Sequence, residues 1–241
     1  MVNASANLIS AKALTFDCYG TLIDWESGIL AALQPWLQQH GLAVASHQLL
    51  EEYGRAESRI EREQPTLKYS DVLKDVHHSL ASTFNIPPDS DAAVRFAQSI
   101  RDWPAFPDTV AALRDLKKRL RLIILSNTDH ESFAQTQKTL RVPFDALVLA
   151  EDVGAYKPDL RMFQQARDAV AGLGIRQDEW VHVAQSLYHD HVPAKSLGLT
   201  TVWIDRYRGQ QGSGATVPPD GSVQSDYTVA SLRELATLFG V

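Results

Sequence analysis

Short, mostly apolar runs of four residues recur at 13–16, 122–125, 146–149, 181–184 and 201–204, each bounded by polar residues or by Gly and Pro. Continuous rather than alternating apolarity predicts strands covered on both faces, as in a parallel sheet. Between the runs lie stretches with helical spacing, at 109–119, 130–140, 159–172 and 191–197. A last strand near 227–229 and a helix begun by Ser231 follow. Strand and helix alternate as repeated βαβ units, so the predicted fold class is α/β, a doubly wound, Rossmann-like parallel sheet.

Residues 25 to about 103 break that rhythm. Ile29, Ala32, Leu33, Trp36 and Leu37 share one helical face, and Gly41 is placed to end that helix. Pro35 inside the pattern predicts a kink or a boundary. Leu49, Tyr53, Ala56 and Ile60 make a second stripe; Val72, Val76 and Leu80 make a third behind Ser70, the expected N-cap. The neighbouring pair His77-His78 reads as helix surface. The predicted organisation is an α/β core of residues 1–23 and 104–241, with a helical cap domain, 24–103, inserted after the first strand. Trp25 and Trp103 fall near the two hinges, where packing at the domain junction is their expected role. Residues 208–226 are rich in Gly, Ser, Gln and Pro and predict an exposed loop.

Composition narrows the function classes. With 241 residues, 44% hydrophobic and 22% charged, the chain can bury a sizeable core without staples. A formal net charge of −6 argues against nucleic acid as a partner. The single cysteine, Cys18, allows neither an internal disulfide nor a thiolate zinc cluster. The first seven residues lack a basic region followed by an apolar run, and no 18 apolar residues run together, so a cytoplasmic protein with no membrane partner is expected.

Ligands of open α/β sheets bind beyond the carboxyl ends of the strands. The first run ends in Asp17, followed by Cys18-Tyr19-Gly20-Thr21, and the second in Ser126-Asn127. The third leads through a short loop to Tyr156-Lys157-Pro158-Asp159, and the fourth runs into Gln185-Ser186 with Asp190 just beyond. Four coincident polar ends exceed what a purely structural sheet needs. His189 and His191, two apart, would not share a helix face, so the histidines around Asp190 do not read as a metal site.

Phe16-Asp17-Cys18-Tyr19-Gly20-Thr21-Leu22 resembles the first motif of the haloacid dehalogenase superfamily. Leu125-Ser126-Asn127 resembles its second motif, Tyr156-Lys157-Pro158-Asp159 its third, and Gln185 to Asp190 a modified fourth. The insertion sits where that family carries its cap, so the resemblance covers nearly the whole chain. Tyr19, two residues after Asp17, is similar to the L-2-haloacid dehalogenase branch.

That resemblance implies a hydrolase with Asp17 as nucleophile at carbon. Lys157 would keep Asp17 ionised, Asp190 would act as general base on the resulting ester, and Thr21 and Asn127 would position these groups. The backbone N–H groups of Cys18 and Tyr19 and the hydroxyl of Ser126 would hold the carboxylate of a short 2-haloacid. No metal or cofactor is implied. A Mg-dependent phosphatase of the same superfamily is the alternative, but those enzymes carry an Asp where Tyr19 stands and Gly-Asp where Ala184-Gln185 stands. Departures from the branch are Gln185 and Leu187 in the fourth motif and Phe163 in place of a tyrosine. The arginine that receives halide aligns with Leu50, so Arg55, ahead of Arg59, is the expected substitute. These departures keep open hydrolysis of another activated carbon, such as a C–N bond, and a retired ligand-binding member. The implied partner is a small-molecule carboxylate, and the family's habit implies a homodimer.

Overall fold

Six parallel strands make one sheet in the order β3-β2-β1-β4-β5-β6. They are β1 (Ala13–Phe16), β2 (Arg121–Ser126), β3 (Ala146–Leu149), β4 (Trp180–Ala184), β5 (Thr200–Ile204) and β6 (Tyr227–Val229). The computed structural model describes Leu8, residues 10–208 and residues 214–241. The N-terminal reading over residues 1–7, and residues 209–213 of the expected loop, lie outside the described residues. Strands β1 and β4 are buried along their whole length, as continuous apolarity requires of strands covered on both faces. Phe16 pairs with Ile124 on one side and Val183 on the other. The chain winds outward from β1 to β3 and then returns to β4 beside β1. The strand order therefore reverses between β1 and β4, and the crevice of a doubly wound sheet opens at that point. Asp17 follows β1 there, and the segment from Gln185 to Asp190 follows β4.

Helices α1 (Trp25–Gln39), α2 (Ser46–Glu63), α3 (Tyr69–Thr83) and α4 (Ser90–Gln98) form the insertion between β1 and β2. The core carries α5 (Thr109–Lys117), α6 (His130–Leu140), α7 (Ala150–Val153), α8 (Leu160–Gly172), α9 (Val192–Ser196) and α10 (Leu232–Leu238). Ser231 caps α10 by accepting from the Glu234 N–H. Among the described residues no helix is long and apolar enough to cross a membrane.

Several local expectations change. Helix α1 runs through Pro35 rather than ending there, and Gly41 beyond it takes a positive φ. Helix α3 begins one residue before Ser70, whose backbone N–H donates instead to Asp129 Oδ2 at 2.7 Å, linking insertion to core. Helix α4 went unread because its inward face, Ala92, Ala93, Phe96 and Ala97, is mostly small. Asp89 was the available signal, since its carboxylate accepts from the Asp91 and Ala92 N–H groups as an N-cap. His77 is buried, not surface, packed 4.5 Å from the Trp36 ring, and burial lowers its pKa to about 4. Where 191–197 predicted one helix, a π-helical turn over Leu187–His191 precedes α9 and turns Asp190 and His191 fully inward.

The two ends of the insertion pack closely on each other at Gly28, where an added Cβ would lie 2.3 Å from Trp103 Cδ1. Gly28→Ala should therefore destabilise the fold by about 1–3 kcal/mol through overpacking. A lower urea midpoint at unchanged slope would show this; an unshifted midpoint would mean that the Trp103 ring yields freely.

Candidate active site

Three strand ends meet on one ammonium. Lys157 Nζ donates to Asp17 Oδ1 at 2.9 Å, to Asp190 Oδ1 at 2.7 Å and to the Leu125 carbonyl at 3.0 Å. Its side chain is 1% exposed, so these three acceptors replace the water it has lost. Thr21 donates its hydroxyl to the other oxygen of Asp17 at 2.7 Å and accepts from the Gln185 N–H at 2.9 Å. Asn127 fixes the loop that carries the lysine. Its Oδ1 accepts from the Lys157 N–H at 2.6 Å, and its Nδ2 donates to the Lys157 carbonyl at 3.2 Å.

Behind Asp190 runs a buried chain that sequence reading missed. His182, in the middle of β4, lies 3.0 Å from Asp190 Oδ1 through Nε2 and 2.9 Å from Thr15 Oγ1 through Nδ1. The Trp180 indole N–H reaches the same hydroxyl at 2.7 Å. An indole can only donate and an ionised carboxylate can only accept. In the neutral ring, the Thr15 hydroxyl therefore donates to Nδ1 and Nε2–H donates to Asp190. A histidine inside an otherwise apolar strand was the signal that it has a partner.

The electrostatics separate the two carboxylates. Burial raises the pKa of Asp190, but the Lys157 ammonium and the His182 hydrogen bond outweigh it and hold the group well below the usual carboxylate range. For Asp17 burial dominates, with Asp190 adding to it, and the pKa rises against the pull of Lys157 and Thr21. Lys157 is held above its ordinary value: burial disfavours its charge, but the two carboxylates prevail. A more basic, poorly solvated carboxylate beside a fixed cation is suited to attack an electrophile. Among the described residues Asp190 Oδ2, Ser126 Oγ and the Trp25 indole N–H, all buried and at the cavity, have no hydrogen-bond partner. They are the polar atoms left for water or ligand.

These groups line a cavity holding about 50 Å³ of free volume, room for ~3–5 waters. Tyr19 forms one wall: its hydroxyl pairs with Thr136 at 2.9 Å, and its ring stacks on Tyr69. Cys18 is wholly buried, burial pushes its thiol well up, and the residue is not among those that line the cavity.

Arg55 is not at this site. It is exposed on the far side of α2, paired with Glu52 at 2.6 Å and Glu51 at 3.5 Å. Successive α-helical residues turn by about 100°, so Arg55 points away from the face shared by Tyr53, Glu57 and Glu61 at i, i+4 and i+8. That face lines the cavity with Glu57 and Glu61, two buried carboxylates that sequence reading missed. Glu57 Oε1 accepts from Tyr53 at 2.8 Å and from Tyr69 at 2.7 Å. Glu61 Oε2 accepts from Asn127 at 3.2 Å, a direct bond from insertion to core. The i, i+4 spacing of Tyr53, Glu57 and Glu61 on an apolar stripe was the legible signal.

The family pattern of haloacid dehalogenase-like hydrolases matches residues 11–184. The chain belongs to that family. This hydrolase is 27% identical over 233 residues to the (S)-2-haloacid dehalogenase of Pseudomonas sp. (strain YL), covering 95% of this chain and 94% of that one. It is 30% identical over 207 residues to the (S)-2-haloacid dehalogenase H-109 of Pseudomonas putida, covering 81% and 86%. The crystal structure of the L-2-haloacid dehalogenase PA0810 superposes with a TM-score of 0.74 at 25% identity, covering 95% of this chain and 99% of that one.

Glu57 gives the hydrolase a measurable pH signature. Burial raises its pKa to about 7, against the two tyrosine hydroxyls that lower it. Between the unfolded value of 4.5 and about 7 the folded state holds more protons than the unfolded state. Stability therefore falls as pH rises through that window and levels off above it. Glu57→Gln should be more stable than wild type at alkaline pH by on the order of 3 kcal/mol, with the gap closing toward acid. Urea melts across pH measure this; a gap independent of pH would contradict the assignment.

Proposed function

We propose that this hydrolase replaces a leaving group on the α-carbon of a short carboxylic acid by hydroxyl, through an ester on Asp17. Hydrolytic dehalogenation of a 2-haloacid, the reaction named in its relatives, is the form the residues support best. The observation that carries the reading is the single Lys157 ammonium bonded to both Asp17 and Asp190. An ester chemistry needs one carboxylate to attack and a second to activate water, and one buried cation serves both.

In the first step a carboxylate oxygen of Asp17 bonds to the α-carbon while the carbon–halogen bond breaks, and halide leaves with the electron pair. The Ser126 hydroxyl and the backbone N–H groups of Cys18 and Tyr19 hold the substrate carboxylate. In the second step Asp190 Oδ2 takes a proton from water, whose oxygen attacks Cγ of the ester. Lys157 Nζ stabilises the oxyanion. Collapse breaks the bond from Cγ to the ester oxygen, and the departing alkoxide recovers the proton from Asp190. His182 holds Asp190 in position throughout.

The reading is metal-free. Tyr19 offers a phenol where phosphoryl transfer in this superfamily uses a second carboxylate, and halide needs no proton to leave. A divalent ion would also have to compete with the ammonium that already joins Asp17 to Asp190. The helical insertion acts as the cap, tied to the core by Glu61–Asn127, by Ser70–Asp129 and by the Tyr156 hydroxyl on the Leu67 carbonyl at 2.6 Å. Closing it excludes water from the displacement step.

The test is a single turnover in ¹⁸O water with a panel of L- and D-2-haloacids. The label should enter the Asp17 side chain, halide release should ignore EDTA, and Asp17→Asn should lower the rate at least about a thousandfold. Label found only in the product, or Mg-dependent phosphate release from p-nitrophenyl phosphate, would overturn the reading.

A further inference from the structure

The cap wall of the cavity has the wrong charge for a plain haloacid. Receiving a departing halide calls for a cation, and the lining residues supply only Lys157, already engaged by Asp17 and Asp190. His189 also lines the cavity, but burial lowers its pKa to about 4, leaving it neutral near pH 7. Against that single ammonium stand four lining carboxylates: Asp17, Asp190, Glu57 and Glu61. The last two are 7% and 6% exposed and come from the segment where an arginine was expected.

A purely structural role does not account for them. Buried carboxylates without a cation are costly, and an apolar pair would pack the same helix face at less expense. Instead Tyr53 and Tyr69 direct their hydroxyls to one oxygen of Glu57, leaving Oε2 outside both bonds. Glu61 likewise uses only Oε2 toward Asn127. The aromatic residues Tyr19, Trp25 and Tyr69 line the same cavity, and aromatic rings attract organic cations. Across the cavity floor the buried, unpartnered hydroxyl of Ser126 is free to bond an anionic end.

We infer that Glu57 and Glu61 determine specificity, and that the substrate is a short acid bearing a protonated nitrogen, which docks on these carboxylates while its own carboxylate faces Ser126. The inference rests on the proposed reaction for which carbon faces Asp17. It does not rest on it for the charge preference. The small free volume suits a short substrate. Glu57, Glu61, Tyr53 and Tyr69 share the cap side, with Lys157, Asp17, Asp190 and His189 facing them from the core. Burial raises the pKa of both cap carboxyls, Glu57 to about 7 and Glu61 with further help from the neighbouring Glu57, so a bound ammonium displaces a proton from the pair.

Titration calorimetry with unreactive probes tests this: β-alanine against butanoate, and 4-aminobutanoate against pentanoate, in two buffers of different ionisation enthalpy. In at least one pair the amino acid should bind wild type about tenfold more tightly than its apolar isostere, the lower end of what a charged hydrogen bond contributes. Binding should release protons, and affinity should rise with pH through about 7. The preference and the proton release should both disappear in Glu57→Gln/Glu61→Gln. Equal affinities, failure of both members of each pair to bind, or a preference that survives in the variant would overturn the inference. Proton release by wild type stands as a readout even if the variant fails to fold. A failed ¹⁸O label with an intact ammonium preference sinks the reaction and leaves this inference; the converse sinks only this inference.

Discussion

An ammonium buried to 1% exposure keeps its charge only where the protein supplies several oxygen acceptors at once, and Lys157 takes its three from three separate strand ends. Asp17 comes from the end of β1, the Leu125 carbonyl from β2, and Asp190 from the turn after β4. Those strands are neighbours in the sheet, so their parallel register is what sets the acceptors around one point. A slip of one residue would turn Asp17 to the opposite face and leave a buried cation with fewer partners. Sheet order and site geometry are thus one constraint. The Asn127 side chain closes it by holding both backbone groups of Lys157.

From that point the polar structure extends in two directions. Inward, Asp190 leans on His182, Thr15 and Trp180, a chain wholly inside the sheet. Each member bonds the next, which spares most of the penalty of a half-paired buried network, and among the described residues Asp190 Oδ2 is the oxygen of that chain left without a partner. Outward, the cavity meets the face of α2, where Glu57 and Glu61 sit against a site that already holds two carboxylates. The inner network is held by charge and hydrogen bonds up to that one oxygen, whereas the outer pair accepts only from neutral hydroxyl and amide donors. Local conflicts of that kind concentrate where a fold has been adapted to bind something.

The core was legible because its strands are buried on both faces. Five apolar runs and a short last segment near 227–229 predicted six strands with bounds within a residue or two, and the polar residues after four of the runs were found by position alone. The insertion was less legible. Helix α4 buries mostly alanines, which carry little periodic signal, and His77 packs on Trp36 although its type and its neighbour His78 suggested surface. His182 escaped notice because a histidine in an apolar strand does not say what it bonds.

Arg55 is the instructive failure. A family expectation of a cation favoured the nearest arginine, while the helix's own period put Tyr53, Glu57 and Glu61 on the buried stripe and Arg55 opposite. Periodicity within one helix is a local property and could have decided that question. Which wall the stripe faces is not local. The sequence by itself determined the sheet, the insertion point and the identity of the strand-end groups, since each follows from runs and spacings of neighbouring residues. Only the tertiary structure decided that two glutamates, rather than an arginine, line one cavity with Asp17 and Lys157, because that depends on how α2 docks across a gap of many residues.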